Sequence, residues 1–545
     1  MSIGKLLKSI FLFVFMLLTC LLLGLTWLTH SDRAIDYAAS SDNLTIPTFS
    51  NQIINFVPTY DETKTLPFTA GAIVDVDNDG VEEIFIGGGI NQQDAFFRFK
   101  DGAFENITND TGWSKETPDK TFSAISLDLD VDDDNDMLIT RQSGVFLYTN
   151  SDGVFTAKKL DLQLDSKTVP LSVAVADINR DGLYDLFVSG YIAREHVEGE
   201  TIFNQEYGGV SGLYINTGDD SFEDITESSG LLYQHNTFQA VFIDVDGDRL
   251  EDLVIAHDTG TVRTWKNNGD LTFSNMANPS SDYFSYPMGI AVTDLKNDGF
   301  PDFFFSNVGS TVPDSLVRGD LREDQVLHKD WLLFENQGDF SFVDSADDRQ
   351  LAAYEFSWGA VFEDFNLDGR DDLVVSENYV GWPLHKLPMW RLDGRFLLQN
   401  EEGAFTETGK QSGVRNREFG ISPLTADFNQ DGYPDLVHVN ILGPQNVFLS
   451  EGGDQGFLKV RLSNTVSSVG TVVAVTLDDG STLVQTFIVG EGLLSDQSHV
   501  LTFGLGDQQA NSISATALDG TVSTLEGSYR NENVNFTTNT DESGS

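Results

Sequence analysis

The stretch Asp177-Ile-Asn179-Arg-Asp181-Gly182-Leu-Tyr-Asp185 lies between Leu171-Ser-Val-Ala-Val-Ala176 and Leu186-Phe-Val-Ser189. The flanks are short, apolar and rich in β-branched residues, so the stretch is a loop joining two strands. Oxygen side chains fall at positions 1, 3, 5 and 9. Glycine at position 6 permits a sharp turn with positive φ, and position 7 can lend its carbonyl. Six or seven oxygens at about 2.4 Å suit Ca²⁺, whereas Mg²⁺ wants fewer ligands in stricter geometry. An EF-hand would need flanking helices and a bidentate Glu at position 12, and Val188 stands there.

Outward from this loop the chain repeats itself. Acidic loops begin at Asp75, Asp128, Asp177, Asp244, Asp294, Asp364 and Asp427, each between two apolar stretches. The spacings are 53, 49, 67, 50, 70 and 63 residues. A unit near 50 residues with three insertions fits a four-stranded blade. In the fourth unit the strands are Val241–Asp244, Leu253–Ala256, Val262–Lys266 and Phe273–Asn275. The expected architecture is all-β, a seven-bladed β-propeller over residues 51–455, closed as a ring because each unit buries its faces only on its neighbours. The seventh unit lacks a fourth strand, and Ile53–Thr59 carries the missing pattern. The N-terminal segment is therefore expected to complete the last blade.

These loops resemble the FG-GAP/VCBS repeat family, which supplies the calcium-loop blades of integrin α-subunit propellers. The resemblance implies metal ligands Asp75, Asp77, Asp79 and Glu83 in the first loop. It implies Asp177, Asn179, Asp181 and Asp185 in the third. The sixth gives Asp364, Asn366, Asp368 and Asp372, and the seventh Asp427, Asn429, Asp431 and Asp435. Three loops depart from the pattern. The second (Asp128, Asp130, Asp132, Asp136) has Asp133 in place of the glycine, and the fourth (Asp244, Asp246, Asp248, Asp252) has Arg249 there. The fifth has Lys296 at position 3, an ammonium expected to replace the metal by pairing with the loop carboxylates. Residues 456–530 alternate apolar and polar residues between glycine turns. Ser468–Val475 and Phe503-Gly-Leu-Gly506 resemble the ASPIC/UnbV domain, a small β-sandwich-like module. Residues 531–545 read as a disordered tail.

The chain has 545 residues, with 85 Asp and Glu against 32 Lys and Arg, a net charge of −53. Such a surface repels a phosphate backbone and excludes nucleic acid as a partner. Cys20 is the only cysteine, so no disulfide or cysteine-based zinc site is possible. Lys5 and Lys8 precede an uncharged run from Ile10 to Leu28. Residues 1–30 are read as a transmembrane signal anchor followed by a linker, 31–50, which puts the bulk of the chain in the periplasm or at the cell surface. A cleaved and secreted form is the alternative.

Neither a G-x-S-x-G elbow nor an H-E-x-x-H helix is present, and the expectation is a non-enzyme. The three insertions, about 191–212, 307–331 and 377–396, all follow the second strand, so topology puts them on the face opposite the acidic loops. Trp331, Tyr379, Trp382, Trp390 and Arg391 lie in or beside them. Aromatics with arginine are the composition of binding hot spots. The functional expectation is adhesion or recognition of an extracellular protein or glycan. The alternative is a polysaccharide-active enzyme on the same scaffold.

Overall fold

The computed structural model describes residues 3–30, 44–115, 117–197, 208–310, 312, 321 and 324–536. Among the described residues the repeats form seven sheets of antiparallel strands. The third is typical: Thr168–Ala176, Asp185–Ile192, Gly212–Asn216 and Phe222–Asp224 pair in chain order. The first strand of each sheet packs on the first strand of the next, and that of the seventh repeat, Phe419–Ala426, returns to that of the first, Gly71–Val74. The sheets thus form a closed ring of the propeller type.

Burial explains the strand pattern. First strands are buried along their whole length, as in Thr237–Ile243 and Ser172 to Ala176. Both of their faces meet neighbouring sheets, so they read as continuous apolar runs. Fourth strands such as Ala103–Asn106 are short and mostly exposed. The ring closes through the N-terminal segment: Phe49–Ile54 pairs antiparallel with Gln445–Ser450 as the fourth strand of the seventh sheet. The strand sits about four residues earlier than Ile53–Thr59, because Pro58 has no N–H for a ladder.

The C-terminal module has two sheets. Val500–Gly506, Gly456–Arg461 and Glu532–Asn535 form one, and Thr482–Thr486, Val472–Leu477, Ala510–Thr516 and Val522–Tyr529 the other. Their shared core of Leu458, Val460, Val475, Phe503 and Ile513 is continuous with Leu129 and Tyr184 of the ring. Residues 532–535, expected in a disordered tail, are instead a strand parallel to Gly456–Arg461. Residues 537–545 and 31–43 lie outside the described residues.

A loop of this module enters the centre of the ring. Ser495–Asp496 adds a parallel strand to Gly71–Val74. Gly492 exchanges backbone hydrogen bonds with Ile290 at 2.6 and 2.8 Å. Leu494 N donates to Gln239 Oε1 (3.0 Å), Ser126 N to Asp496 Oδ2 (2.7 Å), and Thr425 N to Gln497 Oε1 (3.1 Å). One segment is therefore bonded to repeats 1, 2, 4, 5 and 7. Leu493 and Leu494 are fully buried against Phe68, Phe122, Leu171, Phe238, Trp358 and Ile421, contributed by six different first strands or their approaches. The module plugs the channel.

The helix Ile3–His30 is present, with its described apolar side chains exposed. Among the described residues no helix is long and apolar enough to cross a membrane, which departs from the expected transmembrane span.

The plug makes ring and module one cooperative unit. Leu493→Ala removes a side chain that closes the channel and should cost about 2–5 kcal/mol. Calorimetry should show one transition moving to lower temperature as a whole. If a separate C-terminal transition shifts alone, the plug does not stabilise the ring.

Candidate functional site

The seven acidic loops share one backbone. In each, the first Asp accepts the N–H of the sixth residue at 2.6 to 3.0 Å, from Gly80, Asp133, Gly182, Arg249, Gly299, Gly369 and Gly432 in turn. That sixth residue has φ between 70° and 95° in all seven, Asp133 and Arg249 included. The fourth residue is left-handed as well, a feature not read from the sequence: Asn78, Val131, Arg180, Gly247, Asn297, Leu367 and Gln430. At Val131 (φ 62°) a β-branched side chain, 66% exposed, occupies a conformation that suits Asn or Gly. Val131→Asn should therefore raise stability by about 1 kcal/mol, read by denaturant unfolding. A loss of stability would mean that the valine makes a contact of its own.

The ninth residue anchors the loop. Asp185 accepts Ile178 N (3.0 Å) on one oxygen and Asn216 N (2.9 Å), from the third strand, on the other. Asp136, Asp252, Asp302, Asp372 and Asp435 repeat this pair of bonds. Glu83 accepts Val76 N (2.9 Å) and pairs its other oxygen with Arg98.

The carboxylates converge in three loops. Asp75, Asp77 and Glu83 place ligand oxygens within 4.8 Å of one another, as do Asp128, Asp130 and Asp136, and Asp244, Asp246 and Asp248. Around Asp128, Asp130, Asp132 and Asp136 no lysine or arginine makes an ion pair among the described residues, so this all-oxygen set fits a hard divalent cation. Elsewhere protein cations intrude. Arg98 pairs with Asp77 (2.9 Å) and Glu83, and Arg461 with Asp75 (3.5 Å). Lys266 holds Asp246 and Asp248, Arg370 pairs with Asp368, and Lys459 pairs with Asp427. In the third and seventh loops Asn179 and Asn429 donate to Asp181 (2.9 Å) and Asp431 (3.0 Å). Asn366 donates to Thr45 O (3.2 Å). Lys296 does not pair with its own loop as expected, but with Glu335 (2.9 Å). A cavity of about 210 Å³ separates the first two loops from the module, lined by Asp75, Asp128, Arg461, Asn464 and His499.

Burial pushes these acids up: Asp75 and Asp128 to about 6, Glu83, Asp136, Asp185 and Asp302 to about 7, Asp252 and Asp435 to about 8. Without metal the folded chain then binds more protons than the unfolded chain, whose Asp titrates near about 3.9. The stability this confers is complete below about pH 4 and is lost as pH rises through about 6 to 8. A bound cation opposes the loss, because its ligands must be ionised. In chelator the melting temperature should fall between about pH 5 and pH 8, and a divalent cation should restore it most at the upper end. A flat profile in chelator would sink this account.

The opposite face differs from expectation. Trp331 is fully buried: its Nε1 donates to Glu355 O (3.2 Å) and its ring stacks on Tyr354 at 4.6 Å. Trp390, in the short turn Pro388–Trp390, is buried too. Neither can serve as an exposed stacking platform, because each fills space beside a sheet. The insertion's positive charge is also engaged, Arg391 with Glu418 (3.0 Å) and over the Phe419 ring, Arg395 with Glu355 and Glu377. Trp382 and Tyr379 remain half-buried. Tyr379 stacks on Phe356 (5.4 Å, 11°) and meets the edge of Trp358 (5.5 Å). Tyr191, Phe68 and Phe238 continue this aromatic group across the ring centre. Tyr60, Tyr191, Phe356 and Tyr379 are its half-buried members, packed on the cluster that includes Leu493 and Leu494. The signal was in the repeat: Phe122, Phe238 and Trp358 each stand six residues before a loop.

A ring of repeats with an acidic loop after each first strand, joined to a plugging β module, defines an all-β protein of the propeller type. Residues 128–188 and 244–305 match the FG-GAP-like repeat, and residues 462–543 match ASPIC and UnbV. The chain is 22% identical over 332 residues to mouse cartilage acidic protein 1, covering 57% of this chain and 47% of that protein. It is 25% identical over 498 residues to the human protein of that name, covering 85% and 70%. The chain thus spans about half the length of the mouse relative. Among solved structures, a rhamnogalacturonan lyase of Bacillus licheniformis aligns with a TM-score of 0.39 at 12% identity, over 74% of this chain and 75% of that one.

Proposed function

We propose that this chain is a calcium-stabilised, seven-bladed recognition propeller that works outside the cytoplasm and is not an enzyme. The N-terminal apolar helix is its targeting segment. Calcium in the acidic loops is structural, because the loops lie under the C-terminal module and their carboxylates are tied into backbone hydrogen bonds. Recognition falls to the other face. The observation that carries this reading is the half-buried aromatic group Tyr60, Tyr191, Phe356 and Tyr379, packed on the buried cluster that holds Leu493 and Leu494. Half-buried aromatic rings with polar groups beside them suit a sugar ring or an aromatic side chain of an extracellular ligand. Those polar groups include the Tyr191 hydroxyl, bonded to Asp258, and Arg194, bonded to Glu62 O (2.9 Å).

A glycan array and a panel of extracellular matrix proteins would provide the ligand. Tyr379→Ala combined with Phe356→Ala should weaken binding by tenfold or more while leaving the calcium-dependent melting transition close to that of the parent. Undiminished binding would place the ligand elsewhere. Release of shortened polymer from a bound polysaccharide would replace the recognition reading with a polysaccharide-active enzyme.

A further inference from the structure

The register of the sheets puts one third-strand position opposite the metal loop in every repeat. Ile84 pairs with Phe97, Leu253 with Trp265 and Phe303 with Phe334, so the residues that follow, Arg98, Lys266 and Glu335, are equivalent. Each faces the third position of its own loop. Arg98 pairs with Asp77 at 2.9 Å, Lys266 with Asp246, and Glu335 with Lys296 at 2.9 Å. The fifth repeat therefore has the same ion pair with its charges exchanged. In the other four repeats the equivalent residues are Thr149, Ile215, Leu398 and Leu449, none able to neutralise a carboxylate. Their third positions are Asp130, Asn179, Asn366 and Asn429.

We propose that the seven loops are of two kinds. In the first and fourth a cation of the protein holds the loop carboxylates, in the fifth Lys296 stands where a ligand is needed, and these three loops take no divalent ion. In the second, third, sixth and seventh the position opposite is uncharged, and these are the loops that calcium fills. The inference rests on the calcium reading above. Its physical basis is competition for the same oxygens. Arg98 bridges Asp77 and Glu83, and Lys266 bridges Asp246 and Asp248, two would-be ligands in each case. A divalent ion entering there would sit beside a fixed positive charge and forfeit both ligands. In the fifth loop the third ligand is itself an ammonium. The cations near the sixth and seventh loops are different: Arg370 and Lys459 each pair with one carboxylate only, and the other loop carboxylates make no ion pair among the described residues. In the first loop the cation also relieves the charge problem that metal would otherwise solve, since Arg98 pairs with the fully buried ninth-position acid Glu83.

Flow dialysis of the full chain with ⁴⁵Ca²⁺ tests this directly. The parent should bind at most four ions. Asp132→Ala, in the second loop, should lower the count by about one, whereas Asp248→Ala at the same position of the fourth loop should leave it unchanged. Lys266→Met and Arg98→Met, if folded by circular dichroism, should each add about one ion. Six or seven ions in the parent, or an ion lost in Asp248→Ala, would overturn the division while leaving the calcium reading intact. No ion bound to the parent would overturn the calcium reading itself, and the division with it.

Discussion

The structure depends on one repeated contact, a buried carboxylate that accepts two backbone N–H groups from different strands. Asp136, Asp185, Asp252, Asp302, Asp372 and Asp435 each hold the second residue of their own loop and the end of the third strand. A hairpin alone does not fix its loop against a third strand, and this bond pair does. Its cost is a negative charge taken out of water in every repeat, which is tolerable only with hydrogen bonds and a nearby positive charge. The elevated acid pKa values and the protein cations that reach into the loops follow from the same cost. So does the suitability of the second loop for a metal ion. Where Glu83 stands in place of Asp, its longer arm trades the third-strand N–H for Arg98.

The same charge shapes how the C-terminal module docks. Lys459 and Arg461 alternate on the strand Gly456–Arg461 and so project to one side. They meet Asp427 of the seventh loop and Asp75 of the first. These loops are neighbours across the point where the ring closes. The module thus ties together the two repeats that are joined by no continuous hairpin.

Much of this was legible in the sequence because the loop is a local motif with fixed spacing. Six copies of D-x-[DN]-x-D, a seventh with Lys296 at its third position, and their apolar flanks determined the strand order, and the missing fourth strand of the last repeat pointed to closure by the N-terminus. What escaped detection was non-local. Glu491-Gly-Leu-Leu494 reads as an ordinary turn, and its partners, Gln239, Ile290 and Ser422, lie 71 to 255 residues away. Composition misled at Trp331 and Trp390, since an aromatic beside an arginine looks the same whether it caps a core or faces solvent. Alignment of the repeats on the loop discriminates better. Residues six places before each loop lie where the first strands converge, so Phe122, Phe238 and Trp358 point to the ring centre whatever their neighbours are.

Closure without disulfides explains why the plug sits where it does. With Cys20 the only cysteine, nothing covalent holds the first and seventh sheets together. The six-residue pairing of Phe49–Ile54 with Gln445–Ser450 is an edge pairing that could peel from its end. The plug adds a second closure at the same seam: Ser495–Asp496 pairs with Gly71 and Ala72 of the first repeat, while Ser495 Oγ lies 2.8 Å from Ser422 Oγ of the seventh. Opening the ring there requires losing the edge strand, the plug and the two basic contacts together. All three closures use the acidic-loop side or the ring interior, and the aromatic group on the far side packs on the plug without making any of their hydrogen bonds or ion pairs. Its side chains stand outside the hydrogen-bonded closure, and that is the physical reason for locating the proposed recognition there.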